Sequence, residues 1–519
     1  MNLYRSFATV SGFTAISRAL GFVRDMLTAL VLGTGPAADA FFVAFRLPNL
    51  FRSLFAEGAF NSAFVPLFAK NLQAEGKSAA RQFAEEALSV LLVALLIATA
   101  LAEIGMPWLV SLIAPGFREN PEKFDLAVLL TRITFPYLLC MSLTALTAGI
   151  LNALGRFAAA AAAPILLNVV LGASMVLAAS LGLHNRPEAA MIIAWGVTIS
   201  GFAQLAFLTI AATRQDMDLG FRWPRLTPGI KRLFLLAVPG VVTAGITQIN
   251  LFVGTMIASM SESAVSYLYY ADRINQLPLG IVGIAIGVVL LPELTQKLNA
   301  GDRSAAMYSH NRSLEFALLL TLPAAVALMV VPGPIIQVLF QRGAFSAEDT
   351  HAVAASLAAF AAGLPASVLI RVFLPGFFAR EDTRTPMIYA GISAAVNITG
   401  SIVLFLFIGH VGIATATTLA AWTNALMLGA TLLRRGHLEL DDNARRRCAL
   451  ITLASVIMGA ALWAASIPLD RLFAPNHGFL VQCGALGVLV VGGGLIYLVT
   501  TQLTGAFSYK SLWRAVAGG

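Results

Sequence analysis

Residues 17–61 read SRALGFVRDMLTALVLGTGPAADAFFVAFRLPNLFRSLFAEGAFN. Two runs apolar enough to cross a bilayer carry Arg18, Arg24, Arg46 and Arg52, accompanied by Asp25, Asp39 and Glu57. An Arg near the bilayer centre costs roughly 2.5–3.5 kcal/mol on insertion scales. Four such costs within one stretch imply that these groups line a wet cavity and meet a partner, which need not be protein.

The remainder of the 519 residues fits that reading. Hydrophobic residues make up 58% of the chain and charged residues 12%, against about 25% charged in a soluble domain. The apolar runs are continuous rather than alternating over about ten residues, so the expected class is an all-α polytopic membrane protein and not a barrel. Cys140, Cys448 and Cys483 are far apart and read as apolar filler; the six histidines are scattered, so no metal site is expected. Arg18 and Arg24 interrupt the first apolar run, which therefore does not read as a cleavable signal.

Fourteen spans are expected, near 5–32, 38–69, 82–114, 125–151, 159–181, 189–212, 233–260, 265–294, 313–340, 350–378, 387–408, 411–433, 448–467 and 479–503. Bends are expected at Gly21, Pro48, Pro278 and Pro365. With both termini in the cytoplasm, 22 of the 34 Lys and Arg fall in cytoplasmic segments and 5 in outer loops, Lys123 among the latter. That split follows the positive-inside rule. Acidic lipid at the inner face accounts for the net charge of +8 without a nucleic-acid partner.

An internal repeat is visible. Pro66-Leu67-Phe68 to Ser78-Ala79-Ala80 resembles Pro292-Glu293-Leu294 to Ser304-Ala305-Ala306, offset by 226. It divides the chain into a six-helix lobe at 1–213, a linker at 214–228, a second six-helix lobe at 229–436, and two extra helices with a tail at 437–519. Two such parallel lobes are expected to enclose a central cavity and to rock for alternating access.

Residues seven apart on a helix lie about 20° apart around its axis, which pairs Arg18 with Asp25 and Asp39 with Arg46. Arg18 and Arg24 compete for Asp25, whereas Arg52 has only Glu57 near it, on another face. In the second half, Tyr269-Tyr270-Ala271-Asp272-Arg273 places a cation within a residue of the position opposite Arg46 in the repeat. Asp25, Asp39, Arg46, Asn49, Glu57 and Asp272 are the candidate cavity or gating groups. Arg132 and Arg371 sit nearer span ends, where they can snorkel. Arginine outnumbers acid inside the spans, and its fixed fork of donors suits phosphate oxygens. The cavity is therefore expected to take an anion such as a lipid diphosphate. Gly76-Lys77-Ser78 is no nucleotide loop, since Asn71 stands where its first glycine belongs. No catalytic triad or carboxylate pair stands out, and no long polar loop offers room for a glycosyltransferase.

The 17–61 stretch, with SAFVPLF following it, and YYADRINQLPLGIVGIAIGVVLLP at 269–292 resemble motifs of the MurJ (MviN) family of lipid II flippases, in the multidrug/oligosaccharidyl-lipid/polysaccharide (MOP) exporter superfamily. The resemblance implies a non-enzymatic transporter in the bacterial inner membrane. Its cargo would be lipid II, the undecaprenyl-diphosphate-linked peptidoglycan precursor, moved from the cytoplasmic to the periplasmic leaflet. It implies substrate-binding roles for Arg18, Arg24, Arg52 and Arg273, functional acids at Asp39 and Asp272, a groove for the polyprenyl tail at the last helix pair, and no cofactor. Cell-wall synthesis proteins are the partners it suggests. Some relatives resemble sodium-linked transporters with acidic ligands on the seventh and eleventh spans. Residues 240–260 and 388–408 here hold no Asp or Glu, which points instead to the membrane potential or a proton gradient. The same fold could also export another lipid-linked glycan.

Overall fold

The computed structural model describes residues 3–52, 59–474 and 477–506. Side chains are described there except at 3–8, 51–52, 59–62, 239–247, 249–250 and 281–289. The regular structure of the described residues is all helical: α1 (Leu3–Leu32), α2 (Pro36–Arg52), α3 (Ala59–Ile104), α4 (Met106–Ile113), α5 (Pro121–Thr134), α6 (Tyr137–Ala153), α7 (Phe157–Ser180), α8 (Pro187–Thr213) and α9 (Pro228–Ala258). There follow α10 (Ala264–Asn299), α11 (Arg303–Val330), α12 (Pro332–Phe340), α13 (Ala347–Ala361), α14 (Leu364–Phe378), α15 (Arg384–Ile408), α16 (His410–Arg434), α17 (Asp442–Leu469) and α18 (Phe479–Leu503).

Ten stretches among the described residues are long and apolar enough to cross a membrane. The first helix is 30 residues long, ample at 1.5 Å per residue, but holds Arg18, Arg24 and Asp25 within eight residues. Several expected spans are broken helices. The fourth divides into α5 and α6 at Phe135-Pro136, and the tenth into α13 and α14 at Ala362-Gly363, just before the expected breaker Pro365. Helix α1 runs unbroken through Gly21, as do α2 through Pro48 and α10 through Pro278. Large apolar side chains face outward, with Phe407 79% and Leu480 82% exposed. Exposure on this scale suits a lipid surround and not water.

The chain forms two compact units, Met1–Ser266 with Arg342–Ser346, and Tyr267–Gln341 with Ala347–Gly519. In the first, Phe64 and Phe68 of α3 meet Phe83, Ile150, Leu208, Ile230 and Leu233 in one apolar core, with the Phe64 and Phe83 rings 5.6 Å apart. Helix α9 thus packs on α3 within that unit. The segment 342–346 joins it too, Ala344 N donating to the Leu30 carbonyl at 2.9 Å. In the second unit Leu294, Leu314, Val368, Phe373, Leu428 and Leu432 form the corresponding core.

The sequence repeat reappears as a helix break in each copy. Gly76 interrupts α3 with φ 82° and ψ −174°, and Gly301 follows α10 with φ 74°. Only glycine adopts these angles without strain. Asp302 then caps α11 by accepting from Ala305 N at 2.8 Å.

Candidate substrate site

Arg24 makes three side-chain hydrogen bonds to described residues. Its Nη2 and Nε donate to Asp25 Oδ1 at 2.8 and 3.2 Å, and its Nη1 donates to Asn168 Oδ1 at 3.0 Å. The Arg24 side chain is 13% exposed. Asn168 lies on α7, and its Nδ2 donates to the Ser17 carbonyl at 2.9 Å. One amide thus ties two turns of α1 together and fixes a face of the guanidinium. Asp25, expected to lie between two cations, forms its ion pair with Arg24, because a neighbouring long side chain can fold back onto it while Arg18 lies two turns away.

Arg18 is exposed and makes no ion pair with a described residue. It lines a cavity of about 420 Å³ with Val10, Thr14 and Ser17 of α1, Ala148 and Asn152 of α6, and Phe157 and Pro164 of α7. Ser17 belongs both to this wall and to the Asn168–Arg24 network. The cavity therefore joins a lone cation to mostly apolar walls, an arrangement suited to an amphiphilic anion.

Asp39 sits elsewhere. It is fully buried on α2, pairs with Lys123 Nζ of α5 at 2.6 Å and accepts from Ser266 N at 2.9 Å and from Ser266 Oγ. Lys123 is 6% exposed and lies 4.2 Å from the centre of the Phe117 ring. Two sequence expectations change here. Asp39 finds its ion pair on a neighbouring helix rather than at Arg46 a further two turns along α2, and Lys123 is a buried partner rather than a solvated loop charge. Arg46 and Asn49 are half-buried on α2. Arg52 ends α2, with its side chain outside the described set, and Glu57 lies outside the described residues.

In the second unit Arg273 lies over the Tyr269 ring at 4.9 Å and 3.8 Å from Asp272, which accepts from Gln276 at 3.2 Å. Both charged side chains are partly exposed, and the Tyr269 ring supports one face of the guanidinium. Arg132 lies 4.0 Å from Glu103 and, like Arg371, is exposed. Among the described residues no group of three His, Cys, Asp or Glu is placed to hold a metal. Helices α15 and α16 bring together neutral groups, Asn397 accepting from Thr417 Oγ1 at 3.2 Å and from Ser401 Oγ at 3.5 Å.

Asn168, Lys123 and Ser266 were not among the expected site residues. Asn168 had one signal in the sequence, as a lone amide in the apolar run of residues 157–180. The others had none, because an ion-pair partner is chosen by tertiary packing.

Residues 28–509 match the family model described as Lipid II flippase MurJ. The chain belongs to the MurJ family. A probable lipid II flippase MurJ of Rhizobium meliloti (strain 1021) is 50% identical over all of this chain and 97% of its own length. Its counterpart in Rickettsia prowazekii (strain Madrid E) is 35% identical over 98% of this chain and 99% of its own length. A solved lipid II flippase MurJ in an inward closed conformation superposes with a TM-score of 0.78 at 26% identity, over 97% of this chain and 99% of that one. An inward-facing MATE family transporter of the MOP superfamily matches in fold, with a TM-score of 0.67 at 14% identity over 82% of this chain and 97% of its own. The MurJ family is one of lipid transporters rather than catalysts, and this member is a multi-pass membrane protein.

Proposed function

We propose that this MurJ-family protein carries lipid II from the cytoplasmic to the periplasmic leaflet of a bacterial inner membrane by alternating access. The diphosphate is held by Arg18, Arg24, Arg52 and Arg273. Asp25, Asp39, Arg46, Asn49, Glu57 and Asp272 position or gate the site. The sugar and peptide ride in water while the polyprenyl tail stays in lipid. The observation that carries the reading is the half-buried Arg24 fork, oriented by Asp25 and Asn168 and tied through Ser17 to the wall where Arg18 meets a cavity. A cation pre-oriented in this way suits bidentate phosphate better than a point charge. The lobes are 1–213 and 229–436, with 437–519 as the added pair and tail, and both termini are cytoplasmic. The membrane potential or a proton gradient drives the cycle. One charge moved through 100 mV is worth about 2.3 kcal/mol, enough to bias an inward–outward equilibrium. Cell-wall synthesis proteins receive the cargo.

The test is leaflet accessibility of the diphosphate-linked precursor in cells depleted of the native protein and supplied with wild type, Arg24→Ala, Arg24→Lys or Arg52→Ala. Precursor should stay trapped with either alanine variant and be released slowly with lysine, which keeps the charge but loses the fork. Release by Arg24→Ala and Arg52→Ala at the wild-type rate would refute the phosphate clamp. Release in depleted cells lacking any second flippase would refute the substrate.

A further inference from the structure

The segment between α8 and α9 is held down on one side and bare on the other. Glu85 of α3 accepts from Gly220 N at 3.2 Å and from Arg222 Nε at 2.5 Å. Ser89 Oγ accepts from Arg222 N at 2.9 Å, and Thr227 Oγ1 donates to Glu86 at 2.8 Å. These bonds fix an extended stretch in which Arg222 turns onto α3. Its neighbours turn away, leaving Phe221 58%, Trp223 78% and Leu226 62% exposed. The corresponding linker of the second unit behaves otherwise, burying its Leu438 to 2% exposure. Clamping to a helix therefore does not by itself require bare aromatics.

The segment joins the ends of two helices, α8 and α9. The first turns of α9 continue the apolar surface with Phe234, Leu235 and Leu236, 48–75% exposed. Around the aromatics, Arg225, Lys231 and Arg232 are exposed. From 214 to 232 the chain holds five basic residues against Asp216 and Asp218. Tryptophan flanked by arginine at the end of a span is the composition favoured where apolar chains give way to headgroups, and clustered basic residues there select acidic lipid.

We propose that residues 219–226 form a lipid-reading strap. Phe221, Trp223 and Leu226 enter the bilayer interface, and Arg225, Lys231 and Arg232 engage the phosphates of acidic phospholipids. Because Glu85 grips the same strap, the lipid composition of that face bears directly on the α3–α9 packing. The strap is independent of the transported substrate.

The experiment uses the full chain in nanodiscs, either phosphatidylglycerol with phosphatidylethanolamine or phosphatidylcholine alone. Subtracting the fluorescence of Trp223→Phe from that of wild type isolates this indole among six tryptophans. In acidic nanodiscs it should be blue-shifted, protected from iodide and quenched by phospholipid brominated near its carbonyl end. In phosphatidylcholine that protection should weaken. An Arg225→Gln/Lys231→Gln/Arg232→Gln variant should no longer distinguish the two compositions. Full iodide quenching in both, or equal protection in both for wild type, would overturn the proposal. So would protection insensitive to brominated lipid, since a protein would then be the occupant. Phenylalanine at the exposed Trp223 leaves the Glu85 bonds intact, so loss of fold does not confuse the result.

Discussion

The two linkers, 214–227 after α8 and 435–441 after α16, ride on the third helix of their own halves, and they grip it at matching positions with unlike chemistry. Shifted by the repeat offset of 226, Lys77 falls on Arg303, Glu85 on Asn311, Glu86 on Arg312 and Ser89 on Glu315. In the first half Lys77 pairs with Asp216 at 2.8 Å, Glu85 holds Gly220 and Arg222, Glu86 holds Thr227, and Ser89 holds the Arg222 amide. In the second, Arg303 donates to the Gly436 carbonyl and Asn311 to that of Glu439, Arg312 pairs with Asp441 at 2.9 Å, and Glu315 accepts from Arg447 at 3.1 Å. Each linker then caps the next helix, through Thr227 for α9 and Asp441 for α17. The positions persist while the charges change sides. What the two halves share is a geometry that requires the linker to be fastened, and either sign of charge can do it.

The clasps differ in how fully they are satisfied. Glu85 and Glu315 are almost equally buried, at 5% and 6% exposure. Glu85 spends both oxygens on Gly220, Arg222 and Arg81. Among the described residues, Glu315 Oε1, Arg312 Nε and Asn311 Oδ1 have no hydrogen-bond partner. The largest expected effect is therefore at Glu85. Glu85→Ala should destabilise the protein by about 2–3 kcal/mol, losing a backbone and two charge-assisted bonds whose arginines are partly solvated. It should also free the 219–226 strap, read as faster proteolysis within that segment. An equal effect at the two sites would break the distinction. Glu315→Ala should cost only about 1 kcal/mol, because deleting a buried oxygen that lacks a bond offsets part of the lost attraction to Arg312 and Arg447. Thermal unfolding of the purified protein in one detergent measures both.

Much of this architecture is legible in the sequence, and for definite reasons. Continuous apolar runs announce α7, α8, α15 and α18 because a bilayer leaves a helix no alternative. Each copy of the 66–80 repeat carries a glycine with positive φ, Gly76 in one and Gly301 one register position away in the other, and a helix breaks at each. Charges inside spans are visible as anomalies, so Arg24, Asp39 and Arg273 could be named. Their partners on other helices could not. Asp39 meets Lys123 from a segment 84 residues away, and Arg24 meets Asn168 across 144. Periodicity on one helix says which face a residue occupies and nothing of which helix arrives there. For the same reason the linker grips on α3 and α11 are not legible in the sequence, although most of them lie just beyond the repeat and keep its register.

The smallest expected effect tests whether the second clasp is helped from outside its helix. Arg435, at the start of the second linker, donates to Asp382 at 2.6 Å between α14 and α15. The Asp382 carboxyl is held down to about 2, chiefly by the Thr385 backbone N–H and then by Arg435. A carboxyl depressed in the folded state contributes stability above its unfolded value, near 3.9, and loses that contribution as pH falls through the folded value. Asp382→Asn should therefore lower the unfolding temperature slightly and constantly from neutral pH down to about 4. Wild type and variant should then converge as pH approaches 2. The effect stays small because Arg435 is 43% exposed and solvent screens the pair. A gap that persists unchanged at the acid limit would mean that Asp382 acts through the shape of its turn and not through its charge. The second linker would then be fastened chiefly by Arg303, Asn311 and Arg312 of α11, as the first is chiefly by α3, with Arg156 adding one bond to Gln215 at 2.9 Å.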